Sequence, residues 1–160
     1  MNMQSTLGSF RTTALLVMAL TFFGTSLALA AKPASSIPVD KLAQPADIAA
    51  VIKDAKATKP LVLQVGFRTM FDQAHIPGAE YAGPGNTEAG LQVLRDRVAK
   101  LKKDAAIVIY CGCCPWVRCP NIAAAFDTLM ELGFTNVKVM HIDDNFGTDW
   151  VDKGYPTTKP

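Results

Sequence analysis

The chain has 160 residues, 49% of them hydrophobic and 19% charged, with a formal net charge of +2 at pH 7. That length holds one domain built on a single core. The charge is too small, and Lys and Arg too scattered along the chain, to point to nucleic acid or an anionic membrane surface as a partner.

In chain order, Met1 to Arg11 is short and polar, Ala14 to Phe23 is an apolar run, and Ala28-Leu29-Ala30 supplies small residues at signal-peptidase spacing. Residues 1–30 therefore read as an export signal. The run is shorter than the roughly twenty apolar residues of a membrane-spanning helix, although Gly24 to Ala31 prolongs it and keeps an N-terminal membrane anchor as the alternative. The expected setting is periplasmic or secreted, with no stable membrane insertion once the signal is cleaved. Residues 31–45, with three prolines, read as a linker, and residues 46–160 as the domain.

Within the domain, Ala46 to Ala57 has helical spacing, with Ile48, Val51 and Ile52 on one side. Leu61 to Val65 is a short continuous apolar run, the pattern of a strand buried on both faces. Glu88 to Lys102 predicts a second helix, Ala105 to Tyr110 (AAIVIY) a strand rich in β-branched and aromatic residues, Ile122 to Leu132 a third helix stopped by Gly133, and Val137 to Ile142 a further strand. Strands alternating with helices predict an α/β fold with a mostly parallel central sheet flanked by helices.

All four cysteines, Cys111, Cys113, Cys114 and Cys119, sit in one loop after the AAIVIY strand. A stabilising disulfide framework gains most from closing long loops, which this clustering cannot do. Chemistry at one site is the better reading. In open α/β sheets that site lies where a strand's carboxyl end hands over to a helix. Helix and loop N–H groups there are expected to lower the pKa of a thiol. Pro120 suits the first turn of the following helix, Asn121 reads as its cap, and Arg118 offers a cationic fork to an anion.

Several segments together resemble the rhodanese family. They are His75-Ile76-Pro77-Gly78-Ala79, Tyr110-Cys111 after its strand, Glu131-Leu132-Gly133-Phe134 followed by Asn136-Val137, and Trp150 followed by Gly154-Tyr155-Pro156. The resemblance runs from about Leu61 to Pro156. It implies a sulfurtransferase or persulfide carrier: Cys111 takes up a sulfane sulfur and Arg118 is a candidate loop arginine. The extra cysteines of this loop, Cys113, Cys114 and Cys119, are expected to resolve, relay or guard that sulfur. The resemblance implies no cofactor and no resident metal. The implied partners are a small sulfur donor, a thiol acceptor and, as a further candidate, a partner protein. Two positions depart from the pattern: Gln64 stands where the family usually carries Asp, and Gly66 where it carries Arg. The cysteine loop is also longer than usual. These departures bear on thiosulfate-to-cyanide transfer rather than on the fold.

Other readings stay open. Cys111 and Cys114 form a C-x-x-C of the kind used in thiol-disulfide exchange, with Cys119 as another disulfide partner, and four sulfurs on one loop could ligate a soft metal. His75 is expected to orient a turn. His141, with Asp143 and Asp144, reads as a solvated strand end, and Trp116 as either a shield for the thiols or simple packing.

Overall fold

The computed structural model describes residues 37–160; the expected export signal lies outside them. The elements are β1 (Leu42–Ala43), α1 (Pro45–Lys53), β2 (Leu61–Gln64), α2 (Arg68–Gln73), β3 (Glu80–Tyr81), α3 (Glu88–Val98), β4 (Ile107–Tyr110), α4 (Pro120–Glu131) and β5 (Val137–Met140). Short 3-10 turns at Val39–Lys41 and Trp116–Arg118, and a π turn at Gly147–Val151, complete the fold. The strands form one five-stranded sheet in the order β1-β5-β4-β2-β3, and every pairing is parallel. Among the described residues, no helix is long and apolar enough to cross a membrane.

The α/β expectation holds; β4 ends at Tyr110 as expected, and the other expected helices and strands end earlier than their apolar patterns do. Three elements are additional. β1 forms inside the stretch read as linker, pairing Leu42 with Val139 and Ala43 with Met140 at the sheet edge. α2 and β3 are too short to show a period in sequence.

Strand alternation divides the core into two layers. From β4, Ile107 and Ile109 face α3 and α4, packing with Leu94, Val98, Phe126 and Leu129. Val108 and Tyr110 face the other way, towards Ile48 and Ile52 of α1, Phe71 of α2, and Trp150. Trp150 is wholly buried, its indole N–H donating to the carbonyl of Pro156 at 2.9 Å while Tyr155 packs edge-on at 5.2 Å. This contact is the physical content of the W…GYP pattern, and truncating such a side chain costs about 3–5 kcal/mol.

The chain leaving β2 turns to α2 on one face, while the chain leaving β4 turns to α4 on the other. The crevice between the ends of β2 and β4 is therefore the switch point where such sheets bind ligands. Gln64 and Tyr110 pair there in register, and the next residues on each strand open into the site.

Candidate functional site

Cys111 follows the fully buried strand β4 and is itself only 2% exposed. Gly112 then adopts φ +81°, with its Cβ position 2.7 Å from the Cβ of Phe146. Only glycine meets both conditions without strain. The turn it makes brings the sulfur of Cys113 to 3.1 Å from that of Cys111. Cys113 in turn lies 3.1 Å from the sulfur of Cys114 and 3.9 Å from that of Cys119. Two backbone bonds pin the loop: Trp116 N–H to the carbonyl of Ile142 at 2.8 Å, and Phe146 N–H to the carbonyl of Gly112 at 2.9 Å.

All four cysteines are free thiols, so the local disulfide expected of Cys111 with Cys114 or Cys119 is not formed. The C-x-x-C lies ahead of α4, which begins at Pro120; the sulfur of Cys113 is 3.1 Å from that of Cys111, and that of Cys119 lies within 4.8 Å. Pro120 does occupy the first turn of α4, but Cys119 takes the cap position and makes no side-chain cap bond. Asn121 instead turns its side chain into the site. Its Nδ2 donates to the sulfur of Cys111 at 3.4 Å, and its Oδ1 accepts the N–H of Asn86 at 3.0 Å.

The expected lowering of the Cys111 pKa is reversed. Hydrogen bonding with the Cys113 sulfur and burial, partly opposed by Cys119, push the Cys111 thiol up to about 12. Cys119 is also pushed up to about 12, first by the Cys111 sulfur beside it and then by burial. Cys113 rises too: the contact with Cys111 lowers it, and Cys119 together with burial outweighs that. Cys114 rises chiefly through burial, against the pull of Arg118. The physical reason is the long loop. It packs the Cys111 sulfur among other thiols beside the start of α4, and among the described residues no cation offsets the charge of an ionised sulfur there.

In front of Cys111 lies a cavity of about 350 Å³, lined on its polar side by Gln64, Gln73 and Asn145. Met70, Ala74, Phe146 and Val151 supply apolar walls. Cys111 and Cys113 are the two thiols that line it, and among the described residues no charged side chain does. Arg118 is exposed on the 3-10 turn, acts electrostatically on Cys114, and is not part of the lining. Gln64, buried at the end of β2, bridges the two strand ends by donating from Nε2 to the carbonyl of Cys111 at 3.1 Å and accepting the N–H of Gly66 at 3.3 Å. Three sulfurs, those of Cys111, Cys113 and Cys119, lie within 4.8 Å of one another, a spacing that one soft ion could bridge.

The other singled-out residues lie outside this cavity. His75 is buried, stacked on Phe71 at 3.8 Å, and donates from Nδ1 to the Phe71 carbonyl at 2.8 Å; its backbone pairs with Thr158. It holds a turn, as expected. His141 contacts Gln44 at 3.2 Å and Asp143 at 3.1 Å, and Trp116 packs edge-on against His141 at 5.6 Å. Asp144 accepts from the hydroxyl of Thr148 at 3.2 Å.

Comparison of the sequence with protein-family models finds no match, and comparison with curated proteins finds none either. Solved structures do match. The solution structure of the rhodanese-like domain of the Alr3790 protein from Anabaena sp. superposes with a TM-score of 0.55 at 20% identity, covering 75% of this chain and 80% of that one. A crystal structure of the Alr3790 protein gives a TM-score of 0.57 at 19% identity, covering 74% and 82%.

The chain has a rhodanese-like fold. Within that fold, Cys111 occupies the end of the strand that opens on the switch-point crevice. Sequence reasoning missed the wall residues Met70, Ala74, Phe146 and Val151, which come from α2 and the π turn. It also missed the contact of Asn121 with Cys111. The signal that could have flagged the loop geometry was a glycine set between two cysteines, since such a position tolerates φ above zero.

Proposed function

We propose that this protein is a rhodanese-type sulfur carrier in which Cys111 accepts a sulfane sulfur from a small donor and passes it to a thiol. The observation that carries the reading is the sulfur of Cys111 at the carboxyl end of β4, facing a cavity of about 350 Å³ with a second thiol in contact. In the loading step, the Cys111 sulfur attacks the outer sulfur of a donor RS–SH. A bond forms to that sulfur, the donor's S–S bond breaks, and the leaving RS⁻ takes up the proton that Cys111 gives up. Transfer to an acceptor thiol repeats the exchange in the opposite sense. Export, as the N-terminal sequence pattern indicates, would place this chemistry outside the cytoplasm.

With the Cys113 contact and burial pushing the Cys111 thiol up to about 12, the resting thiol is guarded, and loading calls for a reactive sulfur donor. Anaerobic incubation of the reduced protein with a small alkyl persulfide or inorganic polysulfide tests the proposal, read by intact mass and by sulfide release. Uptake or release of sulfur that depends on Cys111 supports it. Equal behaviour of the wild type and Cys111→Ser would remove Cys111 from the chemistry.

A further inference from the structure

Cys113 is the hub of the thiol cluster. Its sulfur touches those of Cys111 and Cys114 at 3.1 Å and approaches that of Cys119 at 3.9 Å. With Cys111, it lines the cavity where a sulfur donor would sit. A persulfide formed on Cys111 therefore has a second thiol against its inner sulfur before any acceptor molecule arrives. A thiol already in place reacts as if present at a concentration far above that of any free thiol, by factors that reach about 10⁵ M and more in well-oriented systems.

We infer that Cys113 resolves the Cys111 persulfide, making the protein a reductase that converts sulfane sulfur to sulfide. This rests on the sulfur-carrier reading above. The Cys113 sulfur attacks the Sγ of Cys111, the bond from Sγ to the outer sulfur breaks, and that sulfur leaves as hydrosulfide. It takes the proton shed by Cys113 and departs as hydrogen sulfide. A Cys111–Cys113 disulfide remains: two thiols have given up two electrons, and the sulfane sulfur has gained them. An external dithiol reductant reopens the disulfide by exchange. It reaches the bond at Cys113, which is half-buried, rather than at Cys111, which is buried. Cys119 also lies within 4.8 Å of Cys111, but Cys113 makes the 3.1 Å contact and lines the cavity with it, so the first resolution falls to Cys113.

The test is a single turnover of the full chain under anaerobic conditions, with one equivalent of a small alkyl persulfide, whose leaving group is a thiol and not sulfide, and no reductant. Sulfide, intact mass and peptide maps are read together. The wild type should release sulfide, lose the mass of two hydrogens, and yield a peptide pair linked through Cys111 and Cys113. Cys113→Ser should instead keep one added sulfur atom on Cys111 and release at least about tenfold less sulfide. A wild-type protein that retains the added sulfur and forms no disulfide overturns the inference while leaving sulfur carriage intact. A map linking Cys111 to Cys114 or Cys119 also overturns it, and this readout does not depend on any variant folding. Sulfide release and oxidation that persist in Cys111→Ser would sink the carrier reading itself.

Discussion

A β-carbon at Gly66 would lie 2.8 Å from the sulfur of Cys111 and 2.9 Å from both its carbonyl oxygen and Nε2 of Gln64. The parallel register of β2 and β4 forces this approach, since Gln64 and Tyr110 are partners and their chains leave the sheet side by side. The position where the rhodanese pattern carries Arg can hold no side chain here. Gly66→Ala is expected to cost about 1–3 kcal/mol, because two of the three clashing atoms belong to a buried backbone carbonyl and a hydrogen-bonded amide. It should also slow sulfur loading by displacing Cys111. Thermal unfolding and a loading time course check both effects, and wild-type values in both would mean that the crevice is looser than the structure has it.

The raised thiols predict a pH dependence of definite sign. Cys111 and Cys119 lose protons near 9 in the unfolded chain and near 12 in the folded one. The folded state thus keeps its full advantage below about pH 9, and loses it as pH rises towards 12 and the unfolded chain sheds protons first. Buried Tyr110, whose hydroxyl is also pushed upward by burial, adds to the loss in the same direction. Reduced protein should unfold at progressively lower denaturant above pH 9. Alkylation of Cys111 should accelerate by about tenfold per pH unit from neutral upward, following the thiolate fraction. A plateau in alkylation rate near neutrality would show an ionised thiol and refute this account.

Asn121 separates the site's electrostatics from its architecture. It is 1% exposed, and its two ends serve Asn86 and Cys111 separately. Asn121→Asp keeps an acceptor for the N–H of Asn86 but sets a carboxylate beside the Cys111 sulfur. Ionisation of that thiol becomes harder, and loading should slow by about tenfold with the fold retained. Asn121→Ala strands the N–H of Asn86 as well and should cost about 1–3 kcal/mol. Circular dichroism and loading rates distinguish the two variants; an Asp variant that loads at the wild-type rate would show that the Asn121–Cys111 contact carries no electrostatic weight.

The long periodic segments were legible because burial dictates their pattern: Leu61 to Leu63 and Ile107 to Tyr110 are apolar on both faces since helices cover both. α2 was not legible, since Arg68 to Gln73 is too short for a helical period and buries only Phe71. β1 was hidden for the same reason, two residues at a sheet edge following a proline-rich stretch. The cysteine cluster could be read from spacing alone. The direction of the thiol pKa could not, because it depends on which sulfurs meet and on how deeply the loop buries them. Gly66 and Gln64 stood out as departures from a pattern, but their reason, a sulfur and a carbonyl in the space of a side chain, exists only in three dimensions.

The uncharged cavity predicts the character of the donor. Gln64, Gln73 and Asn145 are its polar lining, and among the described residues no cation lines it with Cys111. A thiosulfate dianion entering this space would lose hydration without gaining an ion pair. An alkyl persulfide presents less charge and leaves as a simple thiol, so it should load Cys111 at least about tenfold faster than thiosulfate does. Loading by thiosulfate should also show little dependence on salt, since no fixed cation draws the anion in. Gln73 lines the cavity from an exposed position and can be exchanged without disturbing the core. Gln73→Arg should therefore raise thiosulfate loading several-fold and introduce a salt dependence. Should thiosulfate already match the persulfide in the wild type, with strong suppression by salt, a cation must reach the site, and exposed Arg118 would be the first residue to replace.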